Sequence, residues 1–360
     1  MTRQKALGVV LGAVAVLFLL SACTGARVAP SLEPGKNALI WPQLPDPPRY
    51  AYAGTLVGER DFVPKTNEGK STGTIIFEIV TGLLFGEPDY LQLERPTSGI
   101  VDTTGRILVV DPGLASVIVF DMDPKKPKVI KWERGSDEDD FISPIAIAED
   151  GAGGFFVTDS DLAQIFHLSH DGTPLAPLGK GLLTRPTGIA HDPQSGYIYV
   201  SDTGAHRIIV FNHNGEVVDT IGKRGTEDGQ LNYPTFITLA HKQLYVADTL
   251  NFRVQIFDLD GNGKLTIGQL GIRVGDMTRP KGVAVGRDGR VYVMESYFDH
   301  MLIYSPSGEF LLPIGGDGNG LGEFYLPSGV WTDKQGKVYV ADMFNGRVCV
   351  FKELTVGGTE

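Results

Sequence analysis

Apolar residues in this chain come in short runs rich in β-branched and aromatic side chains, divided by Gly, Pro, Asn and Asp. The clearest stretch is 185–211, RPTGIAHDPQSGYIYVSDTGAHRIIVF. Gly188-Ile189-Ala190 begins one strand, Tyr197 to Ser201 form a second and Arg207 to Phe211 a third. Pro193 to Gly196 is a turn, Asp202 to His206 a polar connection, and Asn214-Gly215 a hairpin turn into a fourth strand, Glu216 to Ile221. Period-two alternation of this kind predicts sheet, and no long stretch of helical periodicity competes with it.

The same landmarks recur six times. A proline precedes the first strand at Pro96, Pro144, Pro186, Pro234, Pro280 and Pro327, with spacings of 48, 42, 48, 46 and 47. The second strand ends in an acid at Asp111, Asp159, Asp202, Asp248, Glu295 and Asp342, two residues after a valine. The third ends in an aromatic residue or Leu, from Phe120 through Leu168 to Phe351. One four-stranded sheet cannot bury both faces alone, whereas a ring of them can, so a period in the forties predicts an all-β fold, a six-bladed β-propeller of four-stranded antiparallel blades.

The runs Pro-x-Gly-Ile/Val-Ala, Tyr-Val-x-Asp-Thr and Asn-x-Arg-Val-x-Ile/Val-Phe resemble the NHL repeat, best matched by Tyr245 to Thr249 with Asn251 to Phe257. The resemblance covers roughly residues 93 to 354 and implies the propeller fold. It leaves function open, because similar proteins include binding scaffolds as well as hydrolases and lyases.

The sixth repeat runs out after Phe351, where other units continue into a further strand. Tyr50 to Gly58 supplies a matching pattern, so an N-terminal strand is expected to complete blade six and close the ring. Residues 59–92 form an insertion with an apolar core, 74–85, read either as a plug on the propeller or as a docking element. The propeller is expected to span 49–354, followed by a short tail, 355–360.

The first residues look like a targeting segment. Arg3 and Lys5 form a basic region, Ala6 to Leu19 an apolar one, and Leu20-Ser21-Ala22-Cys23 resembles a bacterial lipobox. The expectation is a signal peptide, 1–22, cut before a lipidated Cys23, and Thr24 after it resembles lipoproteins sorted to the outer membrane. The membrane partner would then be reached through the lipid anchor. Residues 23–48, with six prolines, read as a semi-rigid tether, although Trp41-Pro42 and Pro47-Pro48-Arg49 also suit packing on the propeller.

Without residues 1–22 the chain has 30 basic against 43 acidic residues, a net charge of −13. That acidity argues against a nucleic-acid partner. Cys349 is the only thiol beyond Cys23, so no internal disulfide is expected, and its place between Val348 and Val350 predicts a buried structural thiol.

Candidate chemistry lies mainly on the face where second and third strands connect. The six repeat acids are read as loop architecture, with a ligand or cation ring as the alternative; Arg207, Arg253 and Arg347 stand five residues after their acids and suit that locking role. Arg95, Arg185 and Arg279 precede the proline in alternate blades and could capture an anion around the axis, the alternative being pairing with nearby acids. Thr97, Thr187, Thr235, Lys281 and Ser328 add polar groups after the proline. Leu250, Phe252, Tyr297, Phe298, Met343 and Phe344 make the loops of blades four to six more apolar than those of blades one to three, which predicts a partner-binding patch or inward-folded loop filling.

No cofactor is expected. The seven histidines are scattered, without the three converging imidazoles a zinc site would need. The run from Asp258 to Lys264 resembles half of a calcium loop but has Gln269 where the distal Glu belongs, so plain turn chemistry is favoured. The leading expectation is a lipid-anchored envelope binding protein that presents one propeller face to a protein or small ligand. The alternative is a hydrolase or lyase with its site at the channel mouth.

Overall fold

A computed structural model describes residues 27–64 and 89–354 of the chain. Cys23, the leader before it, the insertion core 74–85 and the tail 355–360 lie outside the described residues. The sheets form six blades around an axis, and the only helices among the described residues are short 3-10 turns.

Blade three shows the repeat most plainly, with strands Pro186–His191, Ile198–Asp202, Arg207–Phe211 and Val217–Ile221 hydrogen-bonded in chain order. Blades one, four and five have the same four-strand order. In blade two the regular strands stop at three, Pro144–Glu149, Phe155–Asp159 and Gln164–Leu168. The segment beside the last of them makes only isolated bridges, Leu168 with Pro174 and Ile165 with Leu178. Pro174 and Pro177 have no N–H to give a ladder, which accounts for the interruption.

The ring closes as expected. Tyr50–Leu56 pairs antiparallel with Arg347–Glu353, from Tyr50 opposite Glu353 to Leu56 opposite Val348. Blade six then gains a fifth strand, Ile40–Trp41, on Tyr50–Leu56. Trp41 meets Phe351 edge-on at 5.5 Å, Leu32 is buried, and the Val28 N–H donates to the Phe62 carbonyl. The proline-rich stretch therefore lies along the outside of blade six from residue 27 onward. The closing strand is also tied to blade five, where Arg290 Nη1 donates to the Tyr50 hydroxyl at 2.8 Å.

Alternation along the strands sends side chains into six seams, one between each pair of neighbouring blades. Phe120, Phe155, Phe211, Phe257, Tyr304 and Phe351 are all essentially inaccessible there. Burying one such ring stabilises the fold by about 2–3 kcal/mol.

Near the axis the spacing is set by glycine. A Cβ on Gly188 would lie 2.6 Å from the Thr235 carbonyl oxygen, and one on Gly282 would lie 2.7 Å from that of Ser328. The glycine of the Pro-x-Gly motif thus lets adjacent inner strands approach. Blade four breaks this pattern with Phe236.

Candidate functional site

The six repeat acids are fully or almost fully buried, and each holds its own loop together. Asp111 accepts from the N–H groups of Glu94, Arg95, Gly113 and Leu114. Asp159 does the same with Ile142, Ser143, Asp161 and Leu162, and Glu295 with Thr278, Arg279, Tyr297 and Phe298. In blades one, two and five the carboxylate thereby joins the connection entering its blade to the loop between strands two and three, and Asp202 joins that connection, through Thr184 and Arg185, to Arg207. Three of the pairs gain a guanidinium: Arg253 Nε lies 3.0 Å from Asp248, Arg347 Nε 2.7 Å from Asp342, and Arg207 Nη2 3.4 Å from Asp202. Asn251 and Asn345 donate to the same carboxylates and to the carbonyls of Gly225 and Gly318. This geometry supports the architectural reading. Burial pushes the Asp111 and Asp342 carboxyls above the ordinary range, and their hydrogen bonds pull the other way.

The residue five positions after the acid varies. Where blades one and two carry Ser116 and Gln164, the Ser116 hydroxyl and the Gln164 carbonyl oxygen are buried without partners among the described residues. The position before it, at the end of each loop, is left-handed in all six blades: Ala115, Ala163, His206, Phe252, Asp299 and Gly346 have φ between 46° and 58°. The repeat imposes this turn even where glycine is absent.

These loops surround one mouth of the axial channel, where a cavity of about 560 Å³ opens. Its charged lining residues are Arg95, Arg185, Lys281 and Asp161. Its apolar and aromatic wall comes from Ile142, Tyr233, Phe236, Leu250, Met343 and Phe344. A second cavity opens at the other mouth beside Glu149, His191 and Lys334, and Phe236 reaches both cavities from between them.

Hydroxyls after the repeat proline stitch one blade to the next. Thr97 donates to the Ile145 carbonyl, Thr187 to that of Thr235, and Thr235 to that of Lys281. Thr203 and Thr249 reinforce the same seams through the carbonyls of Pro234 and Pro280. Lys281 occupies the corresponding position in blade five, and its half-buried ammonium has no hydrogen-bond or ion-pair partner among the described residues. Burial first, and Arg279 second, push that ammonium below the usual lysine range.

The three arginines of the expected anion site are placed differently from one another. Arg95 and Arg185 are exposed at the mouth, and their side chains make no hydrogen bond or ion pair among the described residues. Arg279 is turned into its own loop, where it donates to the hydroxyl and carbonyl oxygens of Ser296 at 3.2 and 3.1 Å. Lys281, two residues on, stands in the cavity instead.

The expected apolar patch is divided in the same way. Leu250, Tyr297 and Phe344 are 44, 58 and 53% exposed. Phe252, Phe298 and Met343 are half-buried. Tyr297 leans edge-on against Phe298, and Phe344 against the exposed Tyr325. Leu250, Met343 and Phe344 border the cavity, while Tyr297 and Phe298 lie outside its lining.

Among the described residues no group of three or more His, Cys, Asp or Glu side chains is arranged to hold a metal ion. Asp258 spends its oxygens on the N–H groups of Asp260 and Asn262, the Asn262 amide and the Lys264 ammonium at 2.7 Å. Lys264 and Asn262 hold this partly exposed carboxyl down at about 2. Cys349 is buried in the third strand of blade six.

Phe236, Tyr233 and Ile142 escaped the sequence-based list of site residues. Phe236 had a visible signal, a phenyl group where blades one, three, five and six have glycine. Tyr233 and Ile142 had none, since their side-chain directions depend on the path of each entering connection.

Residues 277–355 match a family model described as a 6-bladed β-propeller, and residues 183–211 match the model of the NHL repeat. Among curated proteins, the peptidyl-glycine alpha-amidating monooxygenase of Mus musculus is 28% identical over 134 residues, covering 33% of this chain. This chain spans only 13% of that relative's length. Among solved structures, virginiamycin B lyase from Staphylococcus aureus matches with a TM-score of 0.53 at 15% identity, over 73% of this chain and 98% of that one. An auxiliary nutrient binding protein from Bacteroides thetaiotaomicron matches with a TM-score of 0.58 at 14% identity, over 72% and 69%. These two likenesses are of fold alone. Strand order, ring closure and repeat sequence together make this chain a six-bladed β-propeller that carries the NHL repeat.

Proposed function

We propose that this chain is a non-enzymatic binding protein of the bacterial envelope, anchored by lipid on Cys23, that engages its ligand or partner at the loop-side mouth of the propeller. The observation that carries this reading is a set of cations unpaired among the described residues, Arg95, Arg185 and Lys281, beside exposed apolar groups, Leu250 and Phe344, around a single cavity. Neither feature contributes to folding, since a half-buried unpaired ammonium and exposed large apolar groups both carry a cost. The lipobox around Cys23 supports anchorage, and an acidic chain suits an envelope role better than nucleic-acid binding.

Photo-crosslinking in cells tests the choice of face. A benzophenone side chain at Phe344 or Tyr297 is expected to give adducts, while one at Lys334 by the opposite mouth is not. Adducts from Lys334 alone would move the functional face to the other side of the ring.

A further inference from the structure

Two departures from the repeat point into the same cavity. After the proline, blades one, three and four place a threonine whose hydroxyl stitches the next blade; blade two fills the position with the apolar Ile145, and blade five alone with a cation, Lys281, whose side chain makes no such stitch. One residue further on, blades three, five and six place glycine, which lets inner strands close up, and blade two the small Ala146, yet blade four places Phe236. Lys281 lines the loop-side cavity alone and Phe236 lines it from between the two mouths, so this is the cavity where both exceptions meet and where their cost can be compensated.

The chemistry of the two residues differs. Lys281 contributes a cation that has lost part of its hydration without gaining a partner, with Arg185 and Arg95 also unpaired at the rim. Against these stands one acid, Asp161, so the lining carries a net charge of two positive units within a chain of net charge −11. Phe236 closes the cavity from below with an apolar ring, and Leu250 and Phe344 continue that surface upward. The volume, about 560 Å³, suits a small molecule.

We infer that the mouth binds a small amphipathic anion, its one- or two-fold negative head on Lys281 and Arg185 and its apolar body against Phe236 and Leu250. The inference rests on the reading of this mouth as the functional site and narrows its occupant to one chemical class. A bound anion would restore to Lys281 the interaction it lost on leaving water. The stitching hydroxyls are already committed to carbonyls, which makes the cations the principal polar groups left to recognise a head group.

Calorimetry on the full chain in phosphatidylcholine nanodiscs, with empty nanodiscs as the blank, tests this using octanoate, octyl phosphate and octanol. Octanoate or octyl phosphate is expected to bind more tightly than octanol, and the better of the two identifies the head group. Lys281→Met keeps the aliphatic stem and removes the charge, so it is expected to weaken the anions roughly tenfold, the loss of one charged hydrogen bond, and to leave octanol unchanged. Phe236→Ala is expected to weaken all three probes. The Tm of Lys281→Met is expected not to fall, because an unpaired cation has been removed.

Equal binding of octanol and the anions, indifference of the anions to Lys281→Met, or no binding by any probe would overturn the inference. Crosslinks from Phe344 that persist when no probe binds would leave the functional face standing and remove only the ligand class. Loss of both would remove both.

Discussion

Three blades carry an acid and arginine pair that locks the loop, and their geometry grades what each should be worth. In blade four, Asp248 accepts from the Asn232 N–H, the amides of Asn251 and Gln255, and Arg253 Nε at 3.0 Å. Arg253 is largely buried and spends Nη2 on the carbonyls of Glu227 and Gln230. Asp248→Asn leaves that guanidinium with only the exposed Asp228 carboxylate, 3.7 Å from Nη1, and turns an amide toward groups that only donate. The expected loss is about 3–5 kcal/mol, the usual cost of breaking one side of a buried ion pair. Arg253→Met in the same chain removes the stranded cation, so the pair should couple by about 2–3 kcal/mol in a double-mutant cycle.

In blade three the corresponding contact is 3.4 Å, Arg207 is 36% exposed and its Nε has no partner, so the Asp202 and Arg207 coupling should fall below about 1 kcal/mol. Urea denaturation with an unchanged m-value measures both cycles. Equal coupling in the two blades, or stronger coupling in blade three, would refute the idea that hydrogen-bond geometry at the buried acid sets loop stability.

Other consequences are simpler to check. Burial pushes the Cys349 thiol up to about 12, so a thiol reagent should leave it untouched at neutral pH in the native protein and label it fully in denaturant. Burial also raises Tyr52 and Tyr199 to about 12 from an unfolded value near 10. Their protonated forms stabilise the fold fully below pH 10 and lose that effect as pH rises through 12, so their phenolate absorbance should appear together with unfolding. Ionisation of these rings in a folded chain near pH 10 would contradict this. Deleting 27–56 removes the closing strand with its buried Tyr50, Tyr52 and Leu56, each worth about 2 kcal/mol or more, and should yield insoluble or associating protein by exposing the edge of Arg347–Glu353. A soluble monomer with unchanged Tm would show that the ring does not depend on it.

The fold was legible because its signal repeats. Prolines at steady spacing and acids two residues after a valine fix six blades whatever each strand's boundaries, and the missing last strand of blade six pointed to Tyr50 to Gly58. Blade two was harder, since Pro174 and Pro177 interrupt a ladder that the period still implies. The proline-rich segment was ambiguous because an extended chain looks the same whether solvated or laid against a blade; the strand Ile40–Trp41, the buried Leu32 and Trp41 on Phe351 separate the two.

At the mouth, composition showed which residues were available but not where they turned. Arg279 and Arg185 hold the same place in the repeat, yet Ser296 captures one guanidinium and no described residue captures the other. Lys281 and Phe236 were visible as exceptions to a rule whose purpose becomes plain only when the stitching hydroxyls and the close approach at Gly188 are seen.

Native mass spectrometry of the full chain isolated from its own envelope tests the central claim most directly. The wild type should retain one small anionic adduct that Lys281→Met has lost and that Lys334→Met keeps. No adduct on the wild type, or the same adduct on both variants, would contradict the assignment of a small anionic ligand to the loop-side mouth.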